Sequence, residues 1–343
     1  MADADLVLEG GGVKGIGLVG ALSVLRERAD PYDLHRVAGT SAGAIVAALL
    51  AAGYPIPELQ KIMTDLDFTQ FEDGSGLPGS GLLRRIPFKP LHRLGEGCGL
   101  LFHQGIFKGE FLHSWIAEKL SAQGVRTWGD LRQSDPGSSL PPNQRYKLVV
   151  IVSDISRGRM LRLPWDYADQ LGVDPDLQPV ADAVRSSAGI PFFFRPFHMK
   201  ADPARTAGHG EVLCTDGGML SNYPVDIFDR SDGATPRWPT LGVKLSARRP
   251  IDDAGWDPNA HTLALAKSLI STMQNAHDRA HVDDPSFASR TIFVDTAGYK
   301  ATDFHLTPAD KEKLFANGRG AATGFLAKWD WERWKQGDYT TLR

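Results

Sequence analysis

Cysteine is nearly absent from this 343-residue chain: Cys98 and Cys214 are the only two, and no ligand spacing joins them. That excludes a disulfide scaffold and a cysteine-built metal centre, and it fits a reducing cytoplasm. No calcium loop or zinc motif occurs either, so no metal or other cofactor is expected. No apolar run reaches the ~18 residues that a membrane-spanning helix needs. A dominant charge is missing as well. The net charge is −3, so nothing draws the whole molecule to nucleic acid or to an anionic membrane. Asp3 and Asp5 stand where a signal peptide would place an apolar run, so no such peptide is expected, and a cytoplasmic location is. No internal repeat is visible. What remains is an ordinary globular composition, 42% hydrophobic and 23% charged, long enough for one large domain or two.

Apolar runs and helix-period segments alternate along the chain. The pattern predicts strands at 5–9, 36–39, 147–153, 159–163, 192–197, 211–215, 240–245 and 290–294. It predicts helices at 16–28, 42–52, 57–66, 108–121, 176–188, 261–280 and 307–328. This is the rhythm of a layered α/β fold with a mostly parallel sheet. Loop 199–210 is polar, and Trp329, Trp331 and Trp334 are expected to anchor the last segment to the body.

Ser41 lies in Gly39-Thr40-Ser41-Ala42-Gly43, between the apolar run Val37-Ala38 and an alanine-rich helix. That is the layout of a nucleophile elbow: a strand runs in, turns sharply on a serine, and a helix runs out. Gly39 and Gly43 are required because a β-carbon would clash in so tight a turn. The hydroxyl then projects at a helix N-terminus, where the dipole favours developing negative charge. The pentapeptide alone is weak evidence in a chain holding 36 glycines, because a Gly/Ser turn is a common structural element.

Upstream, the strand Asp5–Glu9 runs into Gly10, Gly11, Gly12, Val13, Lys14 and Gly15, and a helix follows from Ile16. Consecutive glycines expose backbone N–H groups at a helix N-terminus, which makes an anion cradle. In acyl transfer that anion is a tetrahedral oxyanion. The same residues fit GxGxxG (Gly10, Gly12, Gly15), the dinucleotide fingerprint, which needs an acidic residue about 20 positions on, at the end of a second strand. Asp30 and Asp33 have the spacing but lie in a polar turn, and the next strand runs into the elbow. A Walker loop is excluded because Lys14 precedes the last glycine.

Downstream, the strand Glu211–Thr215 ends in Asp216, Gly217 and Gly218. An acid at a strand end followed by glycines belongs at the sheet edge where elbows and glycine loops gather. The plain alternative is an ordinary Asp-Gly turn. Asp232-Gly233 serves as a control, since no strand precedes it and it reads as a plain turn.

In their order and spacing these three segments resemble the patatin-like phospholipase family. Gly10-Gly-Gly-Val-Lys-Gly15 matches its oxyanion loop, Gly39-Thr-Ser-Ala-Gly43 its elbow and Asp216-Gly-Gly218 its base motif. Arg185-Ser-Ser-Ala-Gly-Ile-Pro191 and Val152-Ser-Asp154 agree with the segments between them, so the likeness spans about residues 5–245. The resemblance implies a three-layer α/β/α fold with a central, mostly parallel sheet. It implies one catalytic domain over 1–343, with an insert at 68–108 and a helical C-terminal extension over about 250–343. It also implies a Ser41–Asp216 dyad: the serine attacks an ester carbonyl, the aspartate is the base, and an acyl-enzyme forms without a metal. The implied substrate is a phospholipid or lysophospholipid, reached by transient contact with a membrane surface. An aspartate is a poor base at its ordinary acidity, so the site must favour the transfer by desolvation and oxyanion stabilisation.

The competing enzyme is a Ser-His-Asp triad on an α/β-hydrolase fold, with His209 as the candidate base. Chain order opposes it, because only one strand and one helix fit ahead of the elbow. Residues 82–108 mix apolar side chains with five cations against Glu96 alone. That suits a phospholipid surface and equally suits a loop packed on the body. Phe192-Phe-Phe194 fits an acyl tunnel or a plain core strand.

Overall fold

The computed structural model describes residues 2–73, 105–245 and 284–339. Residues 74–104 of the insert expected at 68–108, the helix expected at 261–280, Cys98, and the histidines at 261, 277 and 281 lie outside them.

The first unit is β1 (Ala2–Leu8), α1 (Ile16–Glu27) and β2 (Tyr32–Thr40), a parallel β-α-β in which Leu8 sits beside Gly39. From β2 the chain turns on Ser41 into α2 (Ala42–Ala51). All but one of the ten residues of α2 are buried. A helix apolar all round belongs inside, and its alanines let β1 and β2 approach closely. α3 (Ile56–Asp65) follows, then β3 (Gly105–Phe107) and α4 (Glu110–Ala122). β4 (Leu148–Asp154) is buried along its whole length, and its first five residues, Leu148–Val152, are accordingly an unbroken apolar run. After β5 (Arg159–Leu163) come α5 (Val180–Ser187), β6 (Phe192–Phe194), β7 (Phe197–Lys200) and β8 (Glu211–Asp216). The chain then crosses back to β9 (Thr240–Lys244) and continues through α6 (Pro285–Ala288), β10 (Thr291–Phe293), α7 (Pro308–Leu326) and α8 (Trp331–Lys335).

The main sheet runs β10-β9-β1-β2-β4-β8-β7, with β5 also on β4. β10, β9, β1, β2 and β4 are parallel, whereas β5, β7 and β8 join by antiparallel pairing. Helices flank the sheet in the three-layer α/β/α arrangement.

β4 is the keystone. One edge carries β5 over Val150–Asp154. The other carries β2 over its first half, ending at Thr40 beside Ile151, and β8 over its second half, ending at Asp216 beside Val152. Two strands running in opposite directions thus meet end to end on one edge. Their junction is where Ser41 and Asp216 lie.

One expected strand divides. The run 192–197 becomes β6, which pairs with β3 in a small separate sheet, and β7, which joins the main sheet against β8. Between them stands Pro196, which has no N–H for a ladder and restricts Arg195. The polar loop expected from 199 starts later, because Met199 and Lys200 belong to β7. Of the tryptophans, Trp334 ties the last segment to the body, its Nε1 donating to Ser286 O at 3.2 Å, and Trp329 packs against the core and Phe325, whereas Trp331 stacks on Trp334 within the segment itself.

Candidate active site

Ser41 occupies a turn that only a constrained chain tolerates. Its φ is 53° and ψ −123°, a conformation costing on the order of 1–3 kcal/mol for a residue other than glycine. The flanking glycines make the turn physically admissible. A Cβ on Gly39 would lie 2.3 Å from Gly43 O, and one on Gly43 would lie 2.2 Å from Leu8 O. Ser187, at the end of α5, fixes the turn from the other side: its Oγ accepts the Ser41 N–H at 2.9 Å.

The Ser41 hydroxyl donates to Asp216 Oδ2 at 2.8 Å, and the Gly218 N–H donates to Asp216 Oδ1 at 2.8 Å. Asp216 is 3% exposed. Burial pushes its carboxyl up to about 6, against the opposing pull of the hydrogen bonds from Gly218 and Ser41. Two bonds to the Gly189 carbonyl, from the Asp216 N–H at 3.1 Å and the Thr215 hydroxyl at 2.7 Å, hold the end of β8.

The glycine loop lies alongside. Residues Gly12–Gly15 wind into a tight 3₁₀ turn that leads into α1. A Cβ on Gly10 would come within 3.0 Å of Ser41 Cβ, so the loop backbone lies against the serine. Three loop amides already have acceptors: Gly10 gives to Asn222 O, Val13 to Ala301 O and Lys14 to Gly11 O. The Gly11 and Gly12 amides have none among the described residues. Asn222 also donates its side-chain N–H to Gly10 O at 3.2 Å, tying the segment after β8 to the loop. Glu9 secures the base of the loop, since its carboxylate accepts from Lys244 Nζ and from the Leu245 N–H. Lys14 donates to Leu245 O at 3.4 Å, and burial lowers its pKa.

A partly open cavity lies over Ser41. Gly12, Val13 and Ala42 border the serine, and Leu66, Phe68, Phe71, Leu112, Ile190, Phe194 and Phe304 supply most of the remaining wall. Its lining is mostly apolar, as is usual for sites that take small apolar ligands. Of the aromatic run, Phe194 faces this cavity, whereas Phe193 stacks on Phe304 at 4.7 Å.

Ser41, Asp216, Gly217, Gly218 and the stretch Gly10–Gly15 are therefore brought together. The other candidates stay apart. His209 is exposed in its loop, and His198 is exposed and bonded to Glu211 at 2.7 Å. Asp232 is an exposed turn residue paired with Arg230. Asp3, Asp33 and His35 cluster at the opposite end of β1 and β2, where His35 already bonds Asp3 at 2.8 Å. Sequence reasoning missed Ser187, Asn222, Glu9 and Phe304 as site neighbours. Ser187 stands in a segment matched to the family and Asn222 four residues past another, and that was their only signal. Phe304 gave none.

The sequence profile of the patatin-like phospholipase family matches residues 6–229. The uncharacterized protein YqhO of Bacillus subtilis (strain 168) is 36% identical over 328 residues, covering 95% of this chain and 98% of that one. Among solved structures, VipD from Legionella pneumophila aligns over 94% of this chain at 19% identity and a TM-score of 0.49. ExoU, in its complex with SpcU from Pseudomonas aeruginosa, aligns over 95% at 21% identity and a TM-score of 0.45. The chain spans 66% of the VipD chain and 51% of the ExoU chain.

Proposed function

The chain belongs to the patatin-like phospholipase family, whose members act on lipids, and from that premise we propose that it hydrolyses phospholipid or lysophospholipid esters through a Ser41–Asp216 dyad. The observation that carries this reading is the 2.8 Å hydrogen bond from Ser41 Oγ to a buried, high-pKa aspartate beside an apolar cavity.

Ser41 Oγ attacks the ester carbonyl carbon while its proton passes to Asp216 Oδ2. The carbonyl oxygen becomes an oxyanion, for which the unengaged Gly11 and Gly12 amides are the donors at hand. The C–O bond to the leaving alcohol breaks, and that alcohol takes the proton from Asp216. Water then attacks the acyl-enzyme and gives its proton to Asp216. Departure of the fatty acid returns the proton to Ser41. A raised pKa makes Asp216 a stronger base than an ordinary carboxylate and so narrows the gap to the serine hydroxyl, leaving the rest to oxyanion stabilisation. The acyl chain belongs in the apolar cavity, and access to it implies transient contact with a membrane surface. We read 1–343 as one catalytic unit in which Gly39, Gly43, Gly217 and Gly218 shape the two turns.

The test is fatty-acid release from phosphatidylcholine and phosphatidylglycerol vesicles in excess EDTA. Release by the native chain that disappears in both Ser41→Ala and Asp216→Ala supports the dyad. Release that survives Asp216→Ala but is lost in His209→Ala means a triad instead. Release abolished by EDTA overturns the metal-free route.

A further inference from the structure

The family profile ends at residue 229, yet a wall of the cavity comes from beyond it. The stretch from Thr296 to Phe304 leaves the end of β10 and crosses the glycine loop. Thr296 Oγ1 donates to Leu245 O at 2.7 Å, pinning its start. Ala301 O accepts the Val13 N–H at 3.1 Å, pinning its middle to the loop. The fit there is close: Gly12 has φ +56°, and a Cβ on it would lie 1.9 Å from Ala301 O. Beyond the stretch, Lys311 on α7 donates to Thr64 O at 2.6 Å and Leu66 O at 2.8 Å, fastening α7 to the end of α3.

Phe304 hangs from this strap into the cavity. It is 7% exposed, stacks on Phe193 and meets Phe71 edge-on at 6.3 Å. A ring held by two aromatic neighbours, on a backbone pinned before and after it, is a fixed wall and not a side chain that yields to a long ligand. We propose that Phe304 is a specificity-determining residue that limits the length of acyl chain the cavity accepts. This rests on the reading of the cavity as the acyl site.

The experiment is a chain-length series of p-nitrophenyl esters, C4 to C16, with the native chain, Phe304→Ala and Phe304→Trp, and with Ser41→Ala as the blank. Each methylene newly buried is worth about fourfold in affinity. Phe304→Ala should therefore raise the ratio of kcat/KM for C14 over C8 at least tenfold, and Phe304→Trp should lower it. A merely structural role would depress every length alike and leave the ratio unmoved. That unmoved ratio in both variants, with Ser41-dependent hydrolysis intact, overturns the proposal and leaves the hydrolase reading standing. Should the native chain cleave no ester, the hydrolase reading fails, and the proposal is decided by displacement of a fluorescent fatty acid from Ser41→Ala. In that case C8 to C18 competitors would rank differently once Phe304 is also alanine, and an identical ranking overturns it.

Discussion

A carboxylate with 3% of its surface exposed must be held by donors or take up a proton. Asp216 has two donors, the Ser41 hydroxyl and the Gly218 amide, and they do not fully offset burial, so its pKa stands at about 6. The folded value therefore exceeds the ~3.9 of an unfolded aspartate. Stability conferred by the bound proton is complete below about pH 4 and is lost as pH rises through about 6. Above that, the ionised group costs ~3 kcal/mol of stability. Asp216→Asn should accordingly be inactive yet melt higher than the native chain at pH 8, with the gap closing toward pH 4. A lower melting temperature at pH 8 would contradict this. Activity of the native chain should rise through pH ~6 to a plateau, because only the ionised form accepts the serine proton. A rate independent of pH between 5 and 8 would speak against Asp216 as the base.

The legible residues are those on which the local backbone makes demands. Ser41 is flanked by glycines because a Cβ on Gly39 would strike Gly43 O and one on Gly43 would strike Leu8 O, and the glycine spacing that meets this demand is written within five positions. Ser187 holds the Ser41 amide from 146 positions away. A hydroxyl acting at that separation leaves no local pattern, and neither does a phenylalanine such as Phe304.

At the scale of elements, α1 and α7 pack with unusually close backbones. A Cβ on Gly318 would lie 2.0 Å from Gly17 O, and one on Gly20 would lie 2.1 Å from Phe315 O. Gly318→Ala would gain ~1 kcal/mol of helix propensity if α7 stood alone. Here the new methyl meets main chain, which cannot rotate away, and overpacking costs ~1–3 kcal/mol. The collision outweighs the propensity, so the variant should melt lower by several degrees. A melt equal to the native one would show that the helices separate freely. The helix expected at 307–328 agrees with α7 to within two residues, and the structure shows Pro308 in its first turn and a Thr307–Asp310 capping box at its start. The aromatic run Phe192–Phe197 misled because its hydrophobicity reads as one strand, while Pro196 sends its halves to different sheets.

At the scale of the whole molecule, the sheet rhythm was readable because β1, β2 and β4 are buried parallel strands. The meeting of β2 and β8 on one edge of β4 was not, since strand order depends on contacts far apart in sequence. Among the described residues no helix is long and apolar enough to cross a membrane. That meeting point on β4 also sets how the protein ages under heat. Neither member of the pair hangs on a long loop that can loosen early; Asp216 ends β8 and Ser41 directly follows β2, and both strands are clamped to β4, which is buried along its whole length. Local fraying elsewhere should leave the 2.8 Å contact intact. Residual activity after brief heating should therefore stay near its full value until the sheet itself gives way. Inactivation and loss of the circular-dichroism signal should then trace one curve, and an enzyme that went silent well before its sheet melted would show that the junction is softer than its strands.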